Sequence, residues 1–174
     1  IKPTLKGLSE LGCEYKGFLY TGLMIVNNEP FLIEYNVRMG DPECQTILPR
    51  LETDILDIFL ACSDKKLDDI KINWSDQKSL CIVVCAKGYP DNFKNNIEIK
   101  NLKKISSNKF EHIFHAGTKK KDNIVYSTGG RVLNFVSTSD SFKDARDNII
   151  KNLEILDWED GFYRKDIGHK VIVK

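Results

Sequence analysis

The chain has 174 residues, 41% apolar and 29% charged, enough to bury a core in one domain or two small ones. Its 26 Lys and Arg against 25 Asp and Glu leave almost no net charge, so no overall field draws it onto nucleic acid or an anionic membrane. Binding must come from local sites, and since no apolar run approaches the roughly 18 to 20 residues that cross a bilayer and no signal peptide is visible, a cytoplasmic address is the expectation.

Ile1, rather than Met, opens the chain directly on a helical phrase, which predicts a fragment whose earlier part is missing. Pro3 suits the first turn of a short helix that Gly12 would end. Phe18 to Val26 and Phe31 to Val37 are apolar and β-branched, and Asn27-Asn28-Glu29 is turn chemistry, so the pair reads as a β-hairpin. After the polar turn Gly40-Asp41-Pro42-Glu43, apolar spacing predicts a helix from Asp54 to Cys62, capped by Thr53 or Asp54. Residues Ser63 to Ser79 form a polar passage with Trp74 as its anchor. Beyond it come five short strands, at Leu80 to Ala86, Ile97 to Ile99, Ile113 to His115, Ile124 to Tyr126 and Val132 to Val136. Ser141 begins an S-x-x-D capping box, and Phe142, Ala145, Ile149, Leu153 and Leu156 make one helical stripe. The five cysteines, Cys13, Cys44, Cys62, Cys81 and Cys85, are odd in number and form no CxxC pair, so they read as reduced, mostly buried thiols.

Chemistry concentrates in the second strand of the hairpin. Alternation puts Glu34, Asn36 and Arg38 on one face, about 7 Å apart in succession. A carboxylate and an amide oxygen are hard ligands able to hold magnesium that keeps waters and takes phosphate oxygens, and Arg38 can grip a carboxylate or phosphate with its planar fork. The plainer reading is a solvated sheet face. Gly40-Asp41-Pro42-Glu43 follows at once, with a flexible backbone and two more carboxylates at the mouth of that face.

The run Glu34-Tyr35-Asn36-Val37-Arg38-Met39-Gly40-Asp41-Pro42-Glu43 resembles the signature of the phosphoribosylamine glycine ligases, an ATP-grasp family of purine synthesis, with Leu48-Pro49 and Asp54 following as in that family. Upstream, Pro3 to Gly7 and Gly17 to Met24 are similar to the segments that precede the signature. Downstream, Ala86 to Pro90, His115 to Lys119, Gly129 to Leu133 and Phe162 to Gly168 resemble its carboxyl-terminal domain.

The resemblance implies an α/β (α+β) fold: the end of an ATP-grasp domain over residues 1–75, then a small β-rich domain over 76–174 with one closing helix. It implies ATP and Mg2+ or Mn2+ as cofactors, and glycine and 5-phosphoribosylamine as substrates. Carried over, Glu34 and Asn36 would ligate the metal and Arg38 would steady an acyl phosphate. Gly40 would let backbone amides approach an anion, and Asp41 and Glu43 would bind an amino group or take its proton. Met24 and Ile33 would floor the adenine pocket, or else be core residues of the hairpin. Gly117, Thr118, Gly129, Gly130 and Arg131 would bring amides and a guanidinium to the sugar phosphate, where glycine-containing hairpin turns are the alternative. His112, His115 and His169 show no metal-ligand spacing, and Tyr163 to Asp166 read as a docking tail. The family's amino-terminal and ATP-covering segments are not visible, so the chain by itself is expected to be inactive. Two other readings stand beside this one: another ATP-grasp ligase or carboxylase of purine synthesis, and a non-catalytic binding or scaffold fragment.

Overall fold

Pro3 lies in the first turn of α1 (Lys2–Glu10), where its missing N–H is not needed, and Gly12 follows the helix at φ +76°. The computed structural model describes residues 1–105 and 108–172; the expected second domain therefore includes four residues, 106, 107, 173 and 174, outside the described ones. The chain divides into two units, residues 1–44 with 51–74, and residues 45–50 with those from 75 on.

In the first unit, β1 (Tyr20–Val26) and β2 (Glu29–Asn36) pair antiparallel. Asn27 and Asn28 join them at φ 51° and 65°, the left-handed pair that a two-residue type I′ turn requires and asparagine tolerates. Glu29, expected in the turn, instead pairs with Val26. The ladder slips where Gly22 faces Glu34 while Leu23 faces Leu32, which makes Ile33 the extra residue of a β-bulge. Thr4 Oγ1 and Tyr35 Oη lie 2.6 Å apart and tie α1 to the hairpin.

Helix α2 (Glu43–Ile47) is short, and the division between units falls within it. Helix α3 (Ile55–Ser63) starts at Asp54, whose carboxylate accepts from the Leu56 amide at 2.8 Å. Thr53, the other expected cap, accepts from the Asn73 amide instead. Trp74 does not anchor the passage as expected. Its side chain is 45% exposed, and it is its backbone that bridges to Leu51. Among the described residues of this unit only Gly40 and Ala61 are buried.

The second unit is built differently. Its strands are β3 (Lys78–Ala86), β4 (Glu98–Ile99), β5 (Glu111–His115), β6 (Thr118–Lys121), β7 (Ile124–Ser127), β8 (Arg131–Ser139) and β9 (Gly161–Phe162), with α4 (Phe142–Ile155) and α5 (His169–Ile172). One antiparallel sheet runs β5-β8-β3-β9 and a smaller one runs β4-β7-β6. Leu80, Ile82, Val84 and Ala86 alternate inward on β3, with Leu133 and Phe135 beside them across the ladder. Ala145, Ile149 and Leu153 of α4 close the core. Each fully buried large side chain contributes about 1.5–3 kcal/mol.

Ser141 caps α4 as its sequence predicts: its Oγ accepts from the Asp144 amide at 3.0 Å and donates to that carboxylate at 2.7 Å. Strands β6 and β9 were not expected. β6 reads Thr-Lys-Lys-Lys and lies at a sheet edge, where lysines discourage pairing with another chain and leave no apolar alternation to see. None of the five free cysteines is buried, contrary to expectation. Cys81 and Cys85 take the outward positions of β3, alternating with the core residues. Tyr163 of the expected docking tail, and Ile167 just after it, pack on the core of their own unit, while Arg164 pairs with Asp166 at 2.6 Å. Among the described residues no helix is long and apolar enough to cross a membrane.

Candidate functional site

Beyond the bulge, Glu34 and Asn36 share a face, and the Asn36 amide nitrogen donates to Glu34 Oε1 at 2.8 Å. Gly22 lies opposite, and a Cβ there would stand 3.1 Å from Glu34 Cγ, so bare backbone at 22 makes room for that side chain. A carboxylate, with an amide oxygen once the Asn36 side chain turns, is a hard-oxygen donor set that fits magnesium or manganese. No group of three His, Cys, Asp or Glu able to hold an ion occurs among the described residues. An ion here would complete its shell from water and a ligand's oxygens. Alternation extended to Arg38 in the sequence, but β2 ends at Asn36. Past that end the Arg38 guanidinium donates to the Met39 carbonyl at 2.9 Å.

Tyr20 begins β1 directly opposite Asn36, which sets both side chains on one face. Its hydroxyl donates to Glu43 Oε1 at 3.1 Å, and this bond, together with the charges of Glu43 and Glu34, pushes the phenol above its ordinary range. Gly40 is buried beneath them. A Cβ at Gly40 would run into Glu43 Oε2 and would lie 3.2 Å from the Tyr20 ring. The Gly40 carbonyl accepts from the Cys44 amide at 2.9 Å, and partial burial, aided by the charge of Asp41, pushes the Cys44 thiol up. Asp41 itself is exposed, as are Met24 and Ile33, so neither of the latter is a core residue of the hairpin.

In the second unit Gly117 and Gly129 meet backbone to backbone: a Cβ on Gly117 would lie 2.7 Å from the Arg131 carbonyl and 2.8 Å from Gly129 Cα. The Gly117 amide donates to the Arg131 carbonyl at 3.0 Å, the Thr118 amide to Ala116 at 2.8 Å, and the Thr128 amide to Gly117 at 2.7 Å. Two of the amides expected at a phosphate are thus used inside the protein. Thr118 Oγ1 lies 3.0 Å from His115 Nδ1. The Gly130 carbonyl accepts from Ala86, and any side chain at Gly130 would strike the Tyr89 ring. Arg131 stands opposite Cys85 on the ladder, where its charge partly offsets the upward push of burial on that thiol.

The structure therefore groups Glu34 with Asn36, Glu43 with Gly40, and Gly117 with Gly129, while Arg38 is turned to its own backbone. Sequence reasoning missed Tyr20, and Gly22 entered it only within the Gly17 to Met24 resemblance. A glycine inside a strand run was the readable sign of a close approach. The partner of Tyr20 lies 23 residues away, beyond the whole hairpin, and no local pattern announces it.

Family profiles for the two parts of one enzyme match in order: phosphoribosylglycinamide synthetase, ATP-grasp (A) domain, over residues 1–44, and the C domain over residues 79–170. The chain belongs to the phosphoribosylglycinamide synthetase family. It is 42% identical over 172 residues to a phosphoribosylamine–glycine ligase of Brucella melitensis, covering 99% of this chain and 40% of that protein. It is 42% identical over 169 residues to one of Fusobacterium nucleatum, covering 97% and 40%. The crystal structure of a phosphoribosylamine–glycine ligase from Thermotoga maritima is similar over 95% of this chain and 40% of that one, with a TM-score of 0.78 and 32% identity. The chain spans about 40% of the length of the curated synthetase relatives it matches.

Proposed function

We propose that this chain supplies the metal-binding strand and the closing domain of a cytoplasmic ligase that joins glycine to 5-phosphoribosylamine. Residues 1–75 are the end of its ATP-grasp domain and 76–174 its β-rich domain. The observation that carries the reading is the Glu34–Asn36 pair at the end of a hairpin, followed at once by the Gly40–Glu43 loop, in a chain of this family.

ATP phosphorylates the glycine carboxylate, the amine of phosphoribosylamine attacks the glycyl phosphate carbonyl, and phosphate leaves as the amide forms. Glu34 and Asn36 would hold Mg2+ or Mn2+, and the ion would supply positive charge to offset that of the phosphates. Arg38 leaves the Met39 carbonyl to meet the acyl phosphate. Asp41 and Glu43 take the substrate amino group or its proton. The exposure of Met24 and Ile33 suits a floor beneath adenine. Around Gly117, Gly129 and Gly130 the amides of 117 and 118 are engaged, so the Thr118 hydroxyl and the Arg131 guanidinium meet the sugar phosphate. Turnover needs the further length that the relatives carry, and the 174 residues alone neither bind ATP tightly nor ligate.

The test is ADP release by the longest protein that carries this chain, supplied with ATP and magnesium. Release that requires both glycine and freshly made phosphoribosylamine is the expected result. Release with bicarbonate in place of glycine would move the assignment to a carboxylase.

A further inference from the structure

On the ligase reading above, Glu43 has a task that depends on where its carboxylate points, and a side chain outside the expected site bonds to that carboxylate. We propose that Tyr20 is a positioning residue: it holds Glu43, and with it the Gly40–Glu43 loop, against the face that carries Glu34 and Asn36. Tyr20 sits opposite Asn36 in the ladder, and its hydroxyl reaches Glu43 Oε1 at 3.1 Å. Its ring also lies over Gly40, one of only two buried residues among those described in this unit. A substitution at Gly40 has no space between the Tyr20 ring and the Glu43 carboxylate. The loop is therefore seated on the first residue of β1 by a hydrogen bond and by close packing.

The chemistry favours tyrosine at this point. The charges of Glu43 and Glu34 both reach the Tyr20 hydroxyl, so this position lies among carboxylates. A neutral donor on a strand meets the Glu43 carboxylate without adding a cation that would compete with a bound metal. Phenylalanine would preserve the packing and lose the bond. Because a displacement of about 1 Å costs catalysis heavily, a Glu43 that has lost the Tyr20 bond is a poorer partner for an amine.

The deciding variant is Tyr20→Phe, measured in two ways. In the longest protein that carries the chain, kcat/KM for glycine and for phosphoribosylamine should fall roughly tenfold while KM for ATP stays within about twofold, as for a lost hydrogen bond to a charged group. On a Glu43→Gln background the same substitution should add little further loss. A merely structural role would instead change all three substrates together. In the 174-residue chain, exchange of the Cys44 amide, which donates to Gly40, should quicken roughly tenfold while the β3–β8 ladder keeps its protection. Unchanged Cys44 exchange, or a uniform change across substrates, overturns the proposal. A wild-type protein that shows no glycine-dependent turnover overturns the ligase reading instead, and the exchange result then decides on Tyr20.

Discussion

The two units bury their apolar side chains to different degrees. In the second, Leu80, Ile82, Val84, Leu133, Phe135 and Ile149 are all 6% exposed or less, around a sheet covered by a capped helix. In the first, Leu23, Met24, Ile25, Phe31, Leu32 and Ile33 are each more than half exposed, on a two-stranded sheet of a kind that is marginal by itself in water. Yet the first unit carries the carboxylates and the amide that the proposed chemistry needs. The buried core and the proposed metal-binding pair are assigned to different stretches of this chain, so substitutions should separate them.

The largest expected effect is that of Phe135→Ala, at a side chain 1% exposed. It should cost the second unit about 3–5 kcal/mol, read by denaturant unfolding at the buried Trp158. An unchanged midpoint would break the contrast between the units. Next comes Gly117→Ala, whose new methyl must push one backbone off another. A loss of about 1–3 kcal/mol is expected on the same transition, and a neutral result would mean that the Gly117–Gly129 contact relaxes freely. Leu23→Ser, at a position 52% exposed, should move that transition by no more than about 0.5 kcal/mol.

The smallest effect concerns the exposed Lys143–Asp147 pair on α4, 2.7 Å apart. The hydrogen bond with Lys143 lowers the Asp147 pKa, and the same bond raises that of Lys143. A depressed carboxyl adds stability above its unfolded value and loses it as pH falls through the folded one. A raised ammonium adds stability below its unfolded value and loses it as pH rises through the folded one. The contribution should therefore persist between about pH 4 and pH 10. Lys143→Ala should flatten Tm against pH only marginally, since exposed pairs are well screened.

Local chemistry made much of this legible in the sequence. Asn27-Asn28 announced the hairpin, Asp54 and Ser141 announced their helices, and the stripe Ala145, Ile149 and Leu153 marked the face that packs on the sheet. Failures came where tertiary context overrides pattern. The lysine strand β6 has no apolar alternation because among the described residues only β7 pairs with it, and the cysteines of β3 face outward because its alternate residues fill the core. At the site, Glu34 and Asn36 were readable from spacing. The bulge at Ile33, the end of the strand before Arg38 and the link from Tyr20 to Glu43 depend on contacts between distant residues.

Magnesium dependence of ligation, compared between the wild-type protein and its Glu34→Gln and Asn36→Ala variants in the longest protein that carries the chain, bears most directly on the site. Both variants should need more than about tenfold more metal for half-maximal rate, since even partners that only orient metal ligands are worth 10- to 100-fold. Metal dependence identical to wild type in both would contradict the assignment of this strand as the metal's holder.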